Sequence, residues 1–481
     1  MPDYRPALAY EALGDDAGAP FYDAVEAAVF PEHIIRYRNQ RGAESVGLGG
    51  LGDDVWTDHF GRFAPLPDNL QRPLAVRYHG HQFRTYNADI GDGRGFLFAQ
   101  LRDGEGRLLD LATKGSGQTP YSRFGDGRLT LKGGVREVLA TEMLEALGVY
   151  TSKSFSLIET GEKLYRNDEP SPARSSVLVR LSHSHVRFGV FQRLAFEKNQ
   201  AAISELVDYC VRHFYPELET KTGEDRVAAF YRGVIARTAR LAAQWMAAGF
   251  VHGVLNTDNM NVTGESFDYG PWRFAPNADP SFTAAYFDEA GIYAFGRQAE
   301  ACAWNLAQLG GALSRLAGED ALNGALQTFG DAYEEAMAAA FFRRLGIARS
   351  GADDFALVVN LLRWMNETGA GFEQVFFDWF CADAARAAQS PIAAIYEDEK
   401  FAAVRQRLAS VKPVGADRLS HPYFQGKTPT TMLIDEVEAI WTAIAEADDW
   451  SVFEEKLNTI AIMREAYGFE ASQYCALPSQ D

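Results

Sequence analysis

The sequence predicts an α+β fold of two lobes, a smaller β-rich one followed by a larger, mostly helical one. Three observations carry this. Between residues 76 and 195, short apolar runs alternate with glycine-rich turns, the texture of strands joined by tight loops. From about residue 200, apolar residues recur at helical spacing in segments rich in Ala. No repeat, low-complexity segment or flexible linker interrupts the chain. Its 481 residues suffice for two or three structural units. We divide it into an N-terminal extension packed on the core (1–75), a first lobe (76–195) and a second lobe (196–481).

Composition excludes several classes. The formal charge of −19 argues against binding nucleic acid, which runs on Lys/Arg contacts to phosphates. Hydrophobic content of 47% and aromatic content of 12% supply a large core. The four cysteines, Cys210, Cys302, Cys381 and Cys475, are far apart and form no CxxC, which argues against a zinc site and a disulfide scaffold. No basic-then-apolar leader and no 18-residue apolar run occurs. The expectation is a cytoplasmic monomer with no membrane segment.

Taken in order, residues 1–75 read as an irregular leader with short helices near residues 20–30. Then Tyr78-His-Gly-His-Gln-Phe83 leads to Ile90-Gly-Asp-Gly-Arg-Gly95 and the apolar run Phe96-Leu-Phe-Ala99. A glycine turn opening into a strand lets backbone N–H groups approach a polyphosphate, with Arg94 beside it as a clamp. An ordinary hairpin turn accounts for the same letters. Leu108–Lys114 alternates as a strand, with Leu109 and Leu111 on one face and Asp110, Ala112 and Lys114 on the other. Lys114 sits at the strand end between Gly91–Gly95 and a second glycine loop, Gly115–Arg128. That is where a phosphate ligand belongs, although a solvated lysine fits too.

A helix over 132–147 comes next, stopped by Gly148. Its Glu137 is 23 residues after Lys114. A strand lysine paired with a helix glutamate is the ion pair that holds the phosphate-binding lysine of kinases. Glu142 and Glu145 compete for that role, but Glu137 is nearer the helix start. Strands are expected at Ser154–Glu159, Lys163–Arg166 and through Val177–Gly189. Arg180 and Arg187 offer guanidinium forks that suit phosphate oxygens. His79, His81, His183 and His185 read as structural.

Val227, Phe230, Val234, Leu241 and Trp245 mark a buried helix that ends at Gly249, directly before His252-Gly-Val-Leu-Asn-Thr-Asp-Asn-Met-Asn261 and Asp268-Tyr-Gly270. A long helix feeding such a loop is the layout of a kinase C-lobe. Kinase-type sites use one Asp near the attacking hydroxyl, and an Asn and a second Asp on magnesium. Here Asp258 would be the base, with Asn259 and Asp268 as metal ligands. A polar loop in which Asn and Asp make local turns is the alternative. Further helices are expected at 296–318, 320–345, 353–365, 371–389, 397–410 and 430–447.

Several blocks together resemble one family, the selenoprotein O (YdiU) family of protein-kinase-like adenylyltransferases. They are Tyr78–Phe83, Gly91–Arg94, Lys114–Arg123, Gly125–Arg128, Ser182–Gly189, Gly249–Met260, Phe267–Pro271 and Trp304–Leu306, in order over roughly 76–310. The resemblance implies a protein-kinase-like bilobal fold, with ATP bound flipped so that AMP passes to Ser, Thr or Tyr hydroxyls of protein substrates. It further implies that Gly91, Gly93, Arg94, Lys114, Asp126 and Gly127 line the nucleotide, and that Glu137 pairs with Lys114. Arg180 and Arg187 would bind phosphates. Asp258 would accept the proton, and Asn259 and Asp268 would hold Mg2+ or Mn2+. This chain departs from the family pattern at Arg84, Asn87–Asp89, Lys132–Gly134 and Ala284–Ala285, which bears on substrate choice and on redox control through Cys475.

Overall fold

The structure, a computed structural model, describes residues 3–14, 19–167, 169–351 and 353–469. The expected tail after Phe469 and Cys475 lie outside the described residues. In chain order the strands are β1 (Arg5–Ala7), β2 (Tyr22–Ala24), β3 (Ile34–Arg38), β4 (Leu74–Val76), β5 (Gly80–Gln82), β6 (Thr85–Asn87), β7 (Leu97–Arg102), β8 (Leu108–Lys114), β9 (Leu129–Thr130), β10 (Lys153–Leu164), β11 (Ala173–Ser182), β12 (Phe250–Val251) and β13 (Arg273–Phe274). Nine of them form one antiparallel sheet in the order β2-β4-β7-β8-β11-β10-β3, with β1 beside β7 and β9 beside β11. The other four make two small ribbons, β5–β6 and β12–β13.

Register within the sheet decides which side chains can meet. Lys114 pairs with Leu178 and Ala112 with Arg180. Side chains directly opposite share a face, so Lys114 and Arg180 point to the same side.

The helices are α1 (Gln40–Ser45), α2 (Asp53–Phe60), α3 (Leu131–Ala146), α4 (Phe188–Phe196), α5 (Gln200–Phe214), α6 (Gly223–Ala247), α7 (Gln298–Leu313), α8 (Glu319–Leu326), α9 (Phe329–Arg344), α10 (Asp354–Thr368), α11 (Phe372–Asp378), α12 (Ala384–Ala387), α13 (Ala402–Ser410), α14 (Ile434–Ala447) and α15 (Ser451–Tyr467). The molecule is therefore α+β, with strands concentrated before residue 182 and helices after it.

Both sheet faces are covered. One packs Phe98, Phe155, Val177 and Val179 against Trp56, Phe60, Phe63 and Leu66. The other packs Leu157 and Leu178 against Val135, Val138 and Leu139 of α3. The first 75 residues thus supply three whole strands, most of a fourth and one lid of the core. The helices expected near residues 20–30 are replaced by β2; α1 and α2 come later. A three-residue edge strand carries no readable period, which is why the sequence hid it.

Other boundaries shift for local reasons. β10 runs through Gly161, which takes φ +75° and loosens the register between Glu159 and Lys163. β11 stops at Ser182, short of the expected Gly189, because Ser184 adopts φ 139° and the chain turns into α4. Arg187 is consequently the N-cap of a helix instead of a strand residue. The segment 320–345 divides into two helices, and 371–389 into α11, a 3-10 turn at Phe380–Ala382 and α12. No described helix is long and apolar enough to cross a membrane.

Candidate active site

β8 is buried along its whole length and delivers Lys114 into the interior, 5% exposed. α3 begins at Thr130, whose Oγ1 accepts from Gly133 N at 3.2 Å. That start brings Glu137, 1% exposed, against the Lys114 ammonium, and the two form an ion pair. Lys114 Nζ also lies 2.8 Å from Asp268 Oδ1. Arg180 Nη1 donates to the same oxygen at 3.2 Å, and Arg187 Nη1 donates to Asp268 Oδ2 at 3.1 Å. Three cations from β8, β11 and the cap of α4 thus meet on one carboxylate. Burial opposes its ionisation, but Lys114, Arg180 and Arg187 outweigh that and hold it well below the usual range. Asp268 takes φ 65°, a left-handed conformation that the surrounding ion pairs maintain.

Asp258 sits in a single 3-10 turn, Thr257–Asn259, stitched to the β5–β6 ribbon. His81 N donates to Thr257 Oγ1 at 2.7 Å, and Phe83 N donates to Asn256 Oδ1 at 3.1 Å. Arg187 Nη1 reaches the Asp258 carbonyl at 2.7 Å, which links this turn to the Asp268 cluster. Burial pushes the Asp258 carboxyl up to about 6, against the pull of Arg187. Its Oδ1 is buried with no hydrogen-bond partner. A carboxyl poised near neutrality with a free oxygen suits a proton acceptor.

Every site residue expected from the sequence, Glu137 and Asn259 excepted, lines one cavity of about 710 Å³. Glu137 stands behind Lys114. Asn259 turns its amide nitrogen to Val254 O at 2.9 Å, which leaves its carbonyl oxygen without a partner among the described residues. The glycine loops are as tight as the sequence suggests. A Cβ on Gly91 would lie 2.5 Å from the Tyr121 ring, and one on Gly127, at φ +70°, 2.2 Å from Gly117 O. Arg94 is exposed and makes no ion pair among the described residues, whereas Asp126 is tied to Arg166 at 2.8 Å. Glu142 and Glu145, the alternatives to Glu137, face away toward Arg41 and Arg464.

Several residues of the cavity are not singled out by the sequence pattern. Asp92, inside the Gly91–Arg94 motif, accepts from Val76 N at 3.0 Å and lies 3.6 Å from Arg187. Tyr121 packs under Gly91 and hydrogen-bonds Asp23. Both fall within the motif blocks, which is the available signal; spacing alone does not tell which side chains point inward. His79, His81, His183 and His185 bond to Tyr86, Gln192, Tyr150 and Asp110, and none lines the cavity.

A group of three or more His, Cys, Asp or Glu able to hold a metal is absent among the described residues. Oxygen donors for a hard cation are nevertheless at hand in Asp268, Asn259 and Asp258, and such cations take the rest of their ligands from phosphates and water.

A deep cationic end beside two carboxylates, under glycine loops, has the charge to take a polyphosphate. A family model described as Protein adenylyltransferase SelO matches residues 5–461. Curated relatives are named Protein nucleotidyltransferase YdiU. The one from Gloeobacter violaceus is 46% identical over 463 residues, 94% of this chain and 93% of its own. That from a Synechocystis strain is 43% identical over 475 residues, covering 95% and 97%. A third, from Synechococcus elongatus, is 42% identical over 485 residues, covering 95% and 96%. The chain belongs to the SelO family of protein nucleotidyltransferases.

Proposed function

We propose that this protein transfers AMP from ATP to Ser, Thr or Tyr hydroxyls of protein substrates, acting as a cytoplasmic monomer. The observation that carries the reading is the convergence of Lys114, Arg180 and Arg187 on Asp268 at the deep end of the cavity that Asp258 also lines. The polarity of this cavity supports the flipped orientation. Its three buried cations suit the phosphates, while the exposed Phe124 and Tyr165 at its mouth suit a flat base. We read the sheet with its covering residues as the smaller lobe of a kinase-like fold and the helices as the larger.

In the reaction, the acceptor oxygen attacks the α-phosphorus, and the bond from that phosphorus to the bridging oxygen breaks. Pyrophosphate leaves with the electron pair, and Asp258 takes the hydroxyl proton. Lys114, Arg180 and Arg187 offset the charge gathering on the phosphate oxygens. Glu137 holds Lys114 in place. Mg2+ or Mn2+ held by Asn259 and Asp268 would supply Lewis-acid neutralisation of the phosphates.

Incubation with ATP labelled at the α- or the γ-phosphate tests this. Label from the α position should remain on protein. Retention of γ-label instead would make the protein a kinase and overturn the proposal.

A further inference from the structure

α15 is the last described helix, and it returns across the molecule. Its C-terminal end is buried among the helices, where Tyr467 packs on Phe380 and Phe424 with ring centroids 5.2 and 5.3 Å away. Arg418 donates to the Tyr467 carbonyl. The other end abuts the sheet. The Asp448 carboxylate, at the turn before α15, accepts from Arg174 of β11 at 2.8 Å and faces Arg36 of β3 at 3.4 Å. Between these anchors, Arg464 forms an ion pair with Glu142 and lies 3.6 Å from Glu145. Both glutamates belong to α3, the helix that carries Glu137.

We propose that Arg464 is a positioning residue. Through Glu142 and Glu145, α15 sets α3 against the sheet, and so sets Glu137 against Lys114. This role rests on the reading that Lys114 contacts nucleotide phosphate, and adds to it a strut from the C-terminal helix. Three features support it. The contact spans 322 residues of sequence, so no local structure requires it. The glutamates it grips are 8% and 5% exposed, so they are fixed points of α3 and not solvated ends. A second tie from the same hairpin, Lys132 Nζ to Glu438 Oε2 at 2.7 Å, holds the first turn of α3 as well. α3 is thus gripped at both ends by α14–α15, with Glu137 between them.

Coupling distinguishes a strut from a merely stabilising contact. In the full-length protein, Arg464→Ala should weaken ATP binding about tenfold, a coupling usual for residues joined through one ion-pair network. It should also speed acylation of Lys114 by an amine-reactive reagent, read by mass spectrometry. In a Glu137→Gln background, Arg464→Ala should change neither quantity by more than about twofold, because the link it works through is already cut. Glu142→Gln should reproduce the pattern and replaces Arg464→Ala if that variant does not fold. Equal effects in both backgrounds, or a folded Arg464→Ala protein with parental ATP affinity and Lys114 labelling, would overturn the proposal. The labelling arm needs no nucleotide and decides the matter even if the protein binds no ATP. Parental ATP binding without AMP transfer would sink the functional reading alone.

Discussion

Helix α3 separates two clusters of charged side chains that are built alike and finished differently. On the cavity side, Glu137 and Asp268 face Lys114, Arg180 and Arg187. On the rear side, Glu142 and Glu145 face Arg41, Lys153 and Arg464. At the rear, every carboxylate oxygen has a donor or a cation. Glu142 Oε1 accepts from Tyr37 at 2.8 Å and Asn39 at 3.3 Å, and its Oε2 meets Arg464. Glu145 Oε1 faces Arg41 at 3.0 Å and Lys153 at 2.8 Å, and its Oε2 meets Arg41. On the cavity side, Glu137 Oε2, Arg180 Nε, Arg187 Nε and Asp258 Oδ1 are buried without partners. A buried polar group left unpaired costs about 1–3 kcal/mol, and here four such atoms sit within one cluster. At the rear both carboxylates are fully met and only Arg464 Nε lacks a hydrogen bond; on the cavity side carboxylate oxygens and guanidinium nitrogens alike are left unmet.

The largest effect expected of this contrast comes from Asp268→Ala. It removes the carboxylate on which three cations converge, along with one proposed metal ligand. Transfer of α-labelled phosphate should fall to background. Transfer at the parental rate would mean that Asp268 serves only to balance charge, and that the cavity cluster is structural like the rear one.

Asp258→Asn should come next. Loss of the base should slow transfer by about 10²–10⁴-fold, with ATP affinity little changed. In the parent, the rate should rise with pH through about 6, the Asp258 value, and then level off. Stability should move the other way. A carboxyl whose folded value lies above its ordinary 3.8 binds its proton more tightly when folded. Its contribution is present below 3.8 and lost as pH rises to about 6. At pH 8 the ionised, buried Asp258 is then a liability of about 3 kcal/mol by that shift, and the neutral amide should raise the melting temperature. A variant both slower and less stable would remove Asp258 from the unsatisfied set.

Much of the cavity is legible in the sequence because its chemistry sits in short blocks. Lys114 stands at a strand end between glycine loops, and the Asp258–Asp268 loop comes after a helix whose period is plain. The letters mark Arg187 as a phosphate ligand but place it in a strand, because the turn at Ser184 has no signature in them. The rear cluster is not legible at all. Arg464 lies on a helix not among those expected, although Phe453, Leu457, Ile460 and Tyr467 fall at helical spacing; its partners are more than 300 positions away, beyond any periodicity. From the letters alone, Glu142 and Glu145 are no more than substitutes for Glu137. Spacing says which residues share a helix and gives no account of what packs on its far side.

The smallest effect sharpens the contrast from the rear. Glu145→Gln leaves Arg41, Lys153 and Arg464 facing a neutral group. Breaking a buried ion pair costs about 3–5 kcal/mol, but Arg41 is half exposed and water screens it, so about 2–3 kcal/mol is expected here. Urea unfolding at pH 7 measures this. Burial alone would raise the Glu145 value, yet Lys153, Arg41 and Arg464 prevail and hold it below its ordinary 4.5. Its contribution is therefore present above that value and lost as pH falls below it. The gap between parent and variant should be full at pH 7 and shrink below about pH 4.5. Transfer should suffer only through weaker ATP binding, no more than about tenfold, because Glu145 lies on the rear face of α3 and does not line the cavity. If Glu145→Gln left stability unchanged but stopped transfer, the two clusters would have exchanged roles, and saturation would be no guide to which of them works on a ligand.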